Sequence, residues 1–419
     1  MKMHSIGSIC AAALLTVTLP AAAPAATARV ATWTRAFPAP PSSDTAAPIL
    51  QPLPGGMVLV RAGSGAAAID AHGRTVWSMP NVDDATLDGA MVVFVRSDVV
   101  FAVRARDAGL VWKRKCADPM FAVVAGARLV TACDGAITVL RARDGTVLAA
   151  KEPMVTTSPP HITGAVGLND DYVLVANFFD GAWMGTAQYV ADAHTGALLW
   201  SQTDIEVLNV TPATITISAL PSMLPSGTGR VETRRLRDGI VLRSKTFPVP
   251  KGADTEDQGT VNVTTAATYV TPLRGTPYRF PGGAATPQRV GNPFDSIGAT
   301  LGDAAFVVDE GLRGQPSTIS IDRPAGGTFA TRAIATFTGK LSQRVGGTRS
   351  LVAAGVERID DRIAVLNDNG VSLYDHTGAV ELSAPVACLS PQLSATRDTL
   401  YVLCAQQAAP ATLSAFRRH

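Results

Sequence analysis

Four cysteines at matched spacing are the residues of this sequence that point most clearly to covalent chemistry. Cys116 and Cys133 lie 17 residues apart, and Cys388 and Cys404 lie 16 residues apart. The first cysteine of each pair begins a Cys-x-x-Pro segment, and the second ends a run of strand-forming residues. In an antiparallel pair the start of one strand lies beside the end of the next. We therefore expect two disulfides, Cys116–Cys133 and Cys388–Cys404, with four free thiols or a zinc site as the alternatives.

The histidines and carboxylates are spaced for turns. His72, His194 and His376 each occupy the same position of an Asp/Gly turn, so a shared repeat register explains them. The sequence contains neither a Gly-x-Ser-x-Gly nucleophile elbow nor a phosphate-binding glycine loop. It therefore predicts no catalytic residue, no metal ligand and no cofactor. A non-enzymatic protein is favoured over an enzyme.

The composition restricts the class of protein. The 419 residues are 47% hydrophobic and carry a formal net charge of +2. A chain of this kind is globular, because its apolar fraction is high and its charge is nearly balanced. The same balance argues against a nucleic-acid-binding face or a polybasic membrane patch.

Residues 1–28 have the features of a secretory signal peptide. Lys2 supplies a positive start, an apolar run follows, and Ala26-Thr27-Ala28 supplies small residues for cleavage near Ala28. Cleavage also removes Cys10. No other segment has 18 unbroken apolar residues, so we predict no transmembrane segment. Residues 29–419 should form a single domain that is secreted or periplasmic, where disulfides persist.

One pattern repeats along the exported chain. Two short β-branched runs are followed by an Asp/Gly turn and a third apolar run that often ends in Trp. The turn glycines of the recognisable units are Gly73, Gly109, Gly145, Gly196, Gly239 and Gly378. Runs of this composition form strands, and Asp-Gly tolerates the positive φ of a tight turn. With one upstream strand, each unit becomes a four-stranded antiparallel sheet. A ring of such sheets buries both faces of each one, so we predict an all-β propeller.

Two of these units resemble a known family. The segments 70–77 (DAHGRTVW) and 192–200 (DAHTGALLW) are similar to the tryptophan-docking repeat of PQQ-like, quinoprotein alcohol-dehydrogenase-like β-propellers. The resemblance covers most of 30–417 and is poor across 250–340. It implies that one tryptophan per unit packs against the neighbouring blade; these residues are Trp33, Trp77, Trp112 and Trp200. Leu148 and Leu242 replace Trp in their units, which implies weaker docking there.

The resemblance does not extend to catalysis. The family's dehydrogenases hold their quinone with a vicinal Cys-Cys disulfide, and this chain has no adjacent cysteines. A shared fold does not by itself confer an activity. The resemblance therefore implies the propeller without the quinone site.

The two ends of the chain indicate how the ring closes. The last unit lacks an outer strand, and residues 30–37 have the composition of an outer strand with no blade before them. The N-terminal strand should therefore complete the C-terminal blade. Counting every weak unit gives nine, above the usual range of 4–8 blades. Discounting a weak unit within 250–350 gives eight blades, with seven as the alternative.

Two adjacent units carry enlarged loops that are rich in large apolar residues. We expect these loops, 177–185 and 219–227, to lie on the same face of the ring. Their side chains either form an exposed partner-binding patch or fold down to plug the central channel. The residues of this predicted loop patch are Phe178, Phe179, Trp183, Leu220, Met223 and Leu224.

The favoured function is therefore an exported, monomeric binding scaffold for a protein or cell-envelope partner that engages loops on one face. One alternative is a quinoprotein-type dehydrogenase, or another enzyme with a divergent central site. A second alternative is a propeller that binds a small ligand. The sequence does not identify the partner or ligand.

Overall fold

The computed structural model describes most of the chain from residue 30 to residue 418. The described ranges are 30–37, 48–62, 65–117, 121–151, 162–178, 186–203, 206–219, 228–248, 260–271, 276–282, 286–292, 295–309, 316–337, 356–359, 361–367, 370–386, 391–404 and 410–418. The predicted signal peptide lies outside these residues.

Short β-branched runs separated by tight turns pair into antiparallel sheets of four strands. Each sheet is one blade, and in blades 1 to 8 the strands follow chain order from the innermost to the outermost. Blade 1 consists of β2 (Ile49–Leu53), β3 (Met57–Ala62), β4 (Gly65–Ile69) and β5 (Thr75–Met79). Blade 2 consists of β6 (Asp84–Asp88), β7 (Met91–Arg96), β8 (Val99–Arg104) and β9 (Leu110–Lys115). Blade 3 consists of β10 (Ala122–Ala125), β11 (Arg128–Cys133), β12 (Ala136–Arg141) and β13 (Val147–Lys151).

Blades 4 to 6 repeat this arrangement. Blade 4 consists of β14 (Ile162–Gly167), β15 (Tyr172–Phe178), β16 (Thr186–Asp192) and β17 (Leu198–Thr203). Blade 5 consists of β18 (Glu206–Val210), β19 (Thr214–Ala219), β20 (Thr228–Arg235) and β21 (Val241–Pro248). Blade 6 consists of β22 (Thr260–Val263), β23 (Ala267–Thr271), β24 (Tyr278–Pro281) and β25 (Gln288–Arg289).

Blades 7 to 9 complete the ring. Blade 7 consists of β26 (Ser296–Leu301), β27 (Ala304–Asp309), β28 (Ser317–Ala325) and β29 (Thr328–Phe337). Blade 8 consists of β30 (Val356–Ile359), β31 (Arg362–Asn367), β32 (Gly370–Tyr374) and β33 (Val380–Ala384). Blade 9 consists of β34 (Pro391–Ala395), β35 (Thr399–Cys404) and β36 (Ala411–Arg417), and β1 (Trp33–Phe37) is its outermost strand.

The N-terminal strand closes the ring. β1 pairs with β36 in antiparallel register, from Trp33 opposite Ala415 to Phe37 opposite Ala411. Buried side chains of blade 9, including Tyr401 and Leu413, then pack with Val58 and Ile69 of blade 1. A cluster of buried apolar residues likewise fills each of the other eight interfaces between successive blades. The first and last blades are therefore neighbours in one closed ring.

The predicted blade count was wrong. The structure has nine blades, not eight or seven, because both weak units between residues 260 and 337 are complete four-stranded sheets. Neither unit contains a tryptophan, and the outer strand of blade 6 is only two residues long. The repeat signature is lost there because these blades contact each other through different side chains, which are described below.

The structure also bears on membrane insertion. Within the described residues, no helix has the length and apolar character needed to cross a bilayer.

Candidate functional site

Four tryptophans lie on the outermost strands and each donates a hydrogen bond to the next blade. The Nε1 atoms of Trp33, Trp77, Trp112 and Trp200 donate to the carbonyl oxygens of Ala71, Ala105, Ala142 and Leu236, at 2.8, 2.7, 2.7 and 2.6 Å. Each acceptor lies beside or within the turn between the third and fourth strands of the following blade. Each indole therefore joins two successive blades through the packing of its ring and one hydrogen bond.

The turn glycines make room for these indoles. A Cβ atom built on Gly73, Gly145 or Gly239 would lie within 2.8 Å of Trp33, Trp112 or Trp200, and all three glycines have positive φ. Blade 2 differs, because Ala108 adopts φ 55° at the equivalent place in its turn, whereas Gly109 follows one residue later. The glycine assigned to this turn from sequence is therefore displaced by one residue from the positive-φ position.

Leu148 and Leu242, which the sequence indicated as replacements for the tryptophan of blades 3 and 5, lie one residue before the true tryptophan position. Trp77 lies opposite Ala68 and Trp200 opposite Val190, just after the strand irregularity that follows each turn. In blade 3 the matching residue is Ala149, opposite Val139, and in blade 5 it is Arg243. Leu148 and Leu242 lie one position earlier and are 43% and 49% exposed. They contribute to the outer surface and do not occupy the tryptophan position.

The cysteines lie at the ends of blade strands. Cys116 and Cys133 form a disulfide in blade 3, between the residue after β9 and the end of β11. The predicted Cys116–Cys133 pairing is confirmed. The bridge ties the segment entering blade 3 to the second strand of that blade, because Cys116 precedes the innermost strand β10 and does not lie on it. Cys404, at the end of β35, is also disulfide-bonded. Its predicted partner, Cys388, lies outside the described residues.

The predicted loop patch falls largely outside the described structure. Phe178 is the last residue of β15. The other members, Phe179, Trp183, Leu220, Met223 and Leu224, lie outside the described residues, so the patch stays a prediction.

Exposed apolar side chains recur on, or immediately before, the outermost strands of four blades. They occupy the positions between the turn and the tryptophan position, where the strand irregularity turns side chains outward. These residues are Val76 in blade 1, Leu110 and Val111 in blade 2, Val147 and Leu148 in blade 3, and Ile240, Val241 and Leu242 in blade 5. Blades 2 and 3 are adjacent, so their four residues lie on neighbouring edges of the ring. Contiguous exposed apolar surface is typical of interaction sites.

Charge is distributed unevenly between the outer and inner strands. The outermost strands described here carry nine basic residues and one acidic residue, Glu381; the basic residues are Arg35, Lys113, Arg114, Lys115, Lys151, Arg243, Lys245, Arg289 and Arg332. Among the innermost-strand side chains that the structure describes, Asp84 and Asp88 are acidic and Arg358 is basic. Glu381 is itself paired with Arg362 and Arg418. The circumference formed by these described outermost strands is therefore cationic, although the whole chain is nearly neutral.

A groove of about 200 Å³ lies on this circumference between blades 1 and 2. Its floor consists of Val99, Phe101 and Val103 on β8, all at most 5% exposed. Met79 of β5 forms one wall, and Leu110 of β9, 60% exposed, forms another. Small-molecule pockets usually measure about 300–1,000 Å³, so this groove has room for one or two side chains.

Two cations flank the groove. Lys113 is exposed on β9, opposite Phe101 in the strand register. The Arg96 guanidinium carbon lies 5.2 Å from the centre of the Phe101 ring, and its Nε donates to the Asn81 carbonyl at 2.7 Å. Arg96 is thus held in place by the segment that joins blades 1 and 2, while its guanidinium lines the groove. An apolar floor between two cations suits a ligand that is both apolar and anionic.

A buried polar cluster joins blades 6 and 7, and the sequence interpretation did not identify it. The fully buried Asp322 carboxylate accepts from Arg279 at 2.7 Å, from the Tyr269 hydroxyl at 2.9 Å and from Thr331 at 2.8 Å. Burial and the nearby carboxylate raise the pKa of Tyr269, so its phenol stays protonated. The only sequence signal was one Asp and one Arg inside apolar strands.

The histidines of the turns are placed at the surface. His194 Nε2 lies 2.8 Å from Asp171 Oδ1, and both side chains are exposed. His72 lies near Asp70, at 3.9 Å, in the turn of blade 1. Across the described ranges, no three His, Cys, Asp or Glu side chains are grouped closely enough to hold a metal ion.

A second cavity, of about 310 Å³, lies between blades 8 and 9. Thr34, Thr412 and Ser414 line it together with Val386 and Phe416. The hydroxyls of Thr34 and Ser414 hydrogen-bond to each other at 3.2 Å, so part of its polar surface is already satisfied within the protein. We therefore place the candidate binding surface at the groove between blades 1 and 2 and the adjoining edge of blade 3.

Comparison with known proteins finds only distant likenesses. No protein-family model and no curated protein matches this sequence. Among solved structures, BamB from Moraxella catarrhalis is 16% identical, covers 88% of this chain and 96% of its own, and has a TM-score of 0.41. AztD from Citrobacter koseri is 14% identical, with coverage of 81% and 86% and a TM-score of 0.40. The Pan2 WD40 domain of Neurospora crassa is 12% identical, with coverage of 73% and 94% and a TM-score of 0.38.

These likenesses are too distant to transfer a function. The nine four-stranded blades themselves define the class of protein as a β-propeller. The narrower resemblance to PQQ-like propellers stays a prediction, since it rests on the tryptophan-containing turns alone.

Proposed function

We propose that this protein is an exported, non-enzymatic scaffold that binds a protein or cell-envelope partner. The observation that carries the proposal is the recurrence of exposed apolar side chains on the outermost strands of blades 1, 2, 3 and 5. Exposed apolar side chains such as Leu110 and Leu148 on neighbouring blades support a partner, because burying apolar surface is the main favourable term in association.

The disulfide supports the proposed location. Disulfides such as Cys116–Cys133 form and persist in oxidising compartments, and a protein reaches these compartments by export. The proposed signal peptide, residues 1–28, supplies the route. Export predicts that the mature protein starts near residue 29, which N-terminal mass analysis of the secreted protein measures.

Site-specific photo-cross-linking in the native organism tests the binding surface. A benzophenone amino acid is placed at Leu110, at Leu148, at Trp183 of the predicted loop patch, or at Val166. Val166 is the matched control because it is 62% exposed but lies on β14, the innermost strand of blade 4. We expect a covalent adduct of one defined mass from Leu110 and Leu148.

The same experiment separates the competing surfaces. An adduct from Trp183 would add the loop patch to the binding surface. Adducts from Val166 alone would place the ligand in the central channel and contradict a scaffold that binds through its outer strands. No adduct from any of the four positions would contradict the proposed function itself.

A further inference from the structure

We infer that the groove between blades 1 and 2 binds an extended acidic segment of a partner protein, which places one large apolar side chain between Leu110 and Phe101. This inference rests on the proposed scaffold function and specifies the chemistry of its ligand. It is carried by the shape of the groove, by its flanking charges and by the free edge of β9.

The groove matches a side chain in size and character. Its floor is the apolar face of β8, and Phe94 lies beside Phe101 on the neighbouring strand β7, with ring centroids 5.5 Å apart. Phe94 in turn contacts Trp77 of blade 1 edge to face, at 6.2 Å. An aromatic or branched side chain entering the groove would extend this stack of rings, an arrangement that aromatic side chains favour.

The edge of β9 offers hydrogen-bonding partners for a peptide backbone. β9 is the outermost strand of blade 2, so one side of it has no strand paired with it within the described sheet. Unpaired backbone groups on an edge strand can pair with an added extended segment, and pockets for alternate side chains then supply specificity. The groove lies directly beside this edge, since it is lined by Leu110 and Lys113 of the same strand.

The charges select an acidic segment. Lys113, Arg114 and Lys115 follow one another on β9, and Arg96 lies at the other side of the groove. No ion pair involving Lys113 occurs among the residues that the structure describes. Consecutive cations on an edge also oppose pairing with a like strand, so a second copy of this basic edge is a poor occupant. A segment with Asp or Glu flanking its apolar residue is attracted by the same charges.

A peptide is favoured over a membrane surface by the geometry. The apolar side chains of the groove lie in a recess that accepts a side chain from an extended backbone, whereas lipid headgroups would contact Lys113 and Lys115 without entering it. Anionic vesicles are therefore the alternative ligand to include in the test.

Fluorescence polarisation with the full-length mature protein tests the inference. The probe is a fluorescein-labelled peptide of sequence EDIFIDE, with the charge-reversed peptide KRIFIRK and the apolar-free peptide EDSGSDE as controls. We expect saturable binding of EDIFIDE that weakens at least tenfold in the double variant Leu110→Ser/Lys113→Glu. Raising the salt concentration from 50 to 500 mM should also weaken it, because salt screens exposed charges.

The matched control variant is Val166→Ser/Arg289→Glu, which makes the same kinds of change at exposed residues of β14 and β25, away from the groove. It should alter the dissociation constant by no more than twofold. Hydrogen exchange on the unmodified protein supplies a measurement that needs no variant: excess EDIFIDE should slow exchange of the amides of Leu110–Lys115 and leave those of β21 unchanged.

Several outcomes would overturn the inference. They are no saturable binding of EDIFIDE, equal weakening in both double variants, equal binding of KRIFIRK, and binding of phosphatidylglycerol vesicles without binding of the peptide. If these occur while Leu110 and Leu148 still yield cross-linked adducts, the acidic-peptide inference fails and the scaffold function stands. If none of the four positions yields an adduct, the scaffold function fails.

Discussion

The indole of Trp33 packs on Gly73, and its Nε1 donates a 2.8 Å hydrogen bond to the carbonyl of Ala71. Trp33 belongs to the N-terminal strand of blade 9, whereas Gly73 lies in the turn of blade 1. One contact therefore joins the first and last blades, and the same contact recurs where Trp112 meets Gly145 and where Trp200 meets Gly239.

The space beside Gly73 should be required for ring closure. A Cβ there would lie 2.8 Å from the Trp33 ring, so Gly73→Ala combines backbone strain at φ +80° with overpacking. We expect it to lower the free energy of unfolding by about 1–3 kcal/mol more than the control Gly327→Ala does. Gly327 has φ +83° with no atom near the added methyl group, so it reports the backbone strain alone. Equal losses in urea denaturation would show that the Trp33 contact tolerates the methyl group.

The tryptophan contacts also show which parts of the fold are readable from sequence. Short β-branched runs and Asp/Gly turns depend on local chemistry, so the strands and their antiparallel order in blades 1 to 5 were predictable. The missing end strand and residues 30–37 likewise indicated closure by β1. The blade count failed at blades 6 and 7, because Asp322 and Arg279 come from different blades and no local pattern links them.

The candidate surface was less predictable than the fold. Leu148 and Leu242 were interpreted as weak tryptophan substitutes, because a strand irregularity after each turn shifts the register by one residue. That shift depends on backbone geometry and turns both side chains toward solvent. The groove between blades 1 and 2 combines Met79 with residues of β8 and β9, and only the packing of two blades places them together.

The polar cluster between blades 6 and 7 should be strongly coupled. Asp322→Ala leaves Arg279 buried without its carboxylate, and we expect it to cost about 3–5 kcal/mol. Arg279→Met/Asp322→Ala should cost less than the sum of its single changes by roughly 0.5–3 kcal/mol, because neither partner is left charged and alone. A double-mutant cycle by chemical denaturation measures this coupling energy.

An exposed ion pair supplies the control for that cycle. Arg143 lies 3.5 Å from Asp144, with both side chains largely solvent-accessible. Arg143→Ala should change stability by at most about 1 kcal/mol. Strict additivity at Arg279 and Asp322 would contradict the proposed role of the cluster in holding blades 6 and 7 together.

The Cys116–Cys133 bridge should stabilise blade 3 by constraining the unfolded chain. The two cysteines are 17 residues apart, and a loop of that size corresponds to about 3 kcal/mol in the chain-entropy account. Cys116→Ala/Cys133→Ala should therefore lower the urea midpoint under oxidising conditions. Under reducing conditions the variant and the unmodified protein should be similar. Alkylation of both sulfurs in the native, unreduced protein would contradict the bridge.

Asp295 should make stability depend on pH. Burial, with a smaller contribution from Asp309, raises the pKa of this carboxyl from 3.8 to about 6, although the Asn292 amide opposes the change. The folded state therefore favours the protonated form. This stabilisation is complete below about pH 3.8 and is lost as the pH rises through about 6.

Asp295→Asn tests this pH dependence because asparagine is always neutral and retains an oxygen that can accept from Asn292. The variant and the unmodified protein should have similar stability near pH 4. At pH 7 the variant should be more stable by about 1–2 kcal/mol, after allowance for solvent screening. A difference that stays constant from pH 4 to pH 7 in chemical denaturation would contradict the raised pKa.

Closure of a nine-bladed ring by its N-terminal strand is the claim on which the account depends most. The direct measurement compares the thermal unfolding of a chain that starts at residue 29 with that of one that starts at residue 42 and therefore lacks β1. The shorter chain loses the pairing with β36 and the Trp33 contact, so its midpoint should fall by roughly 10 °C. Excess synthetic peptide of residues 30–40 should restore part of that loss, whereas identical midpoints for the two chains would contradict closure by β1.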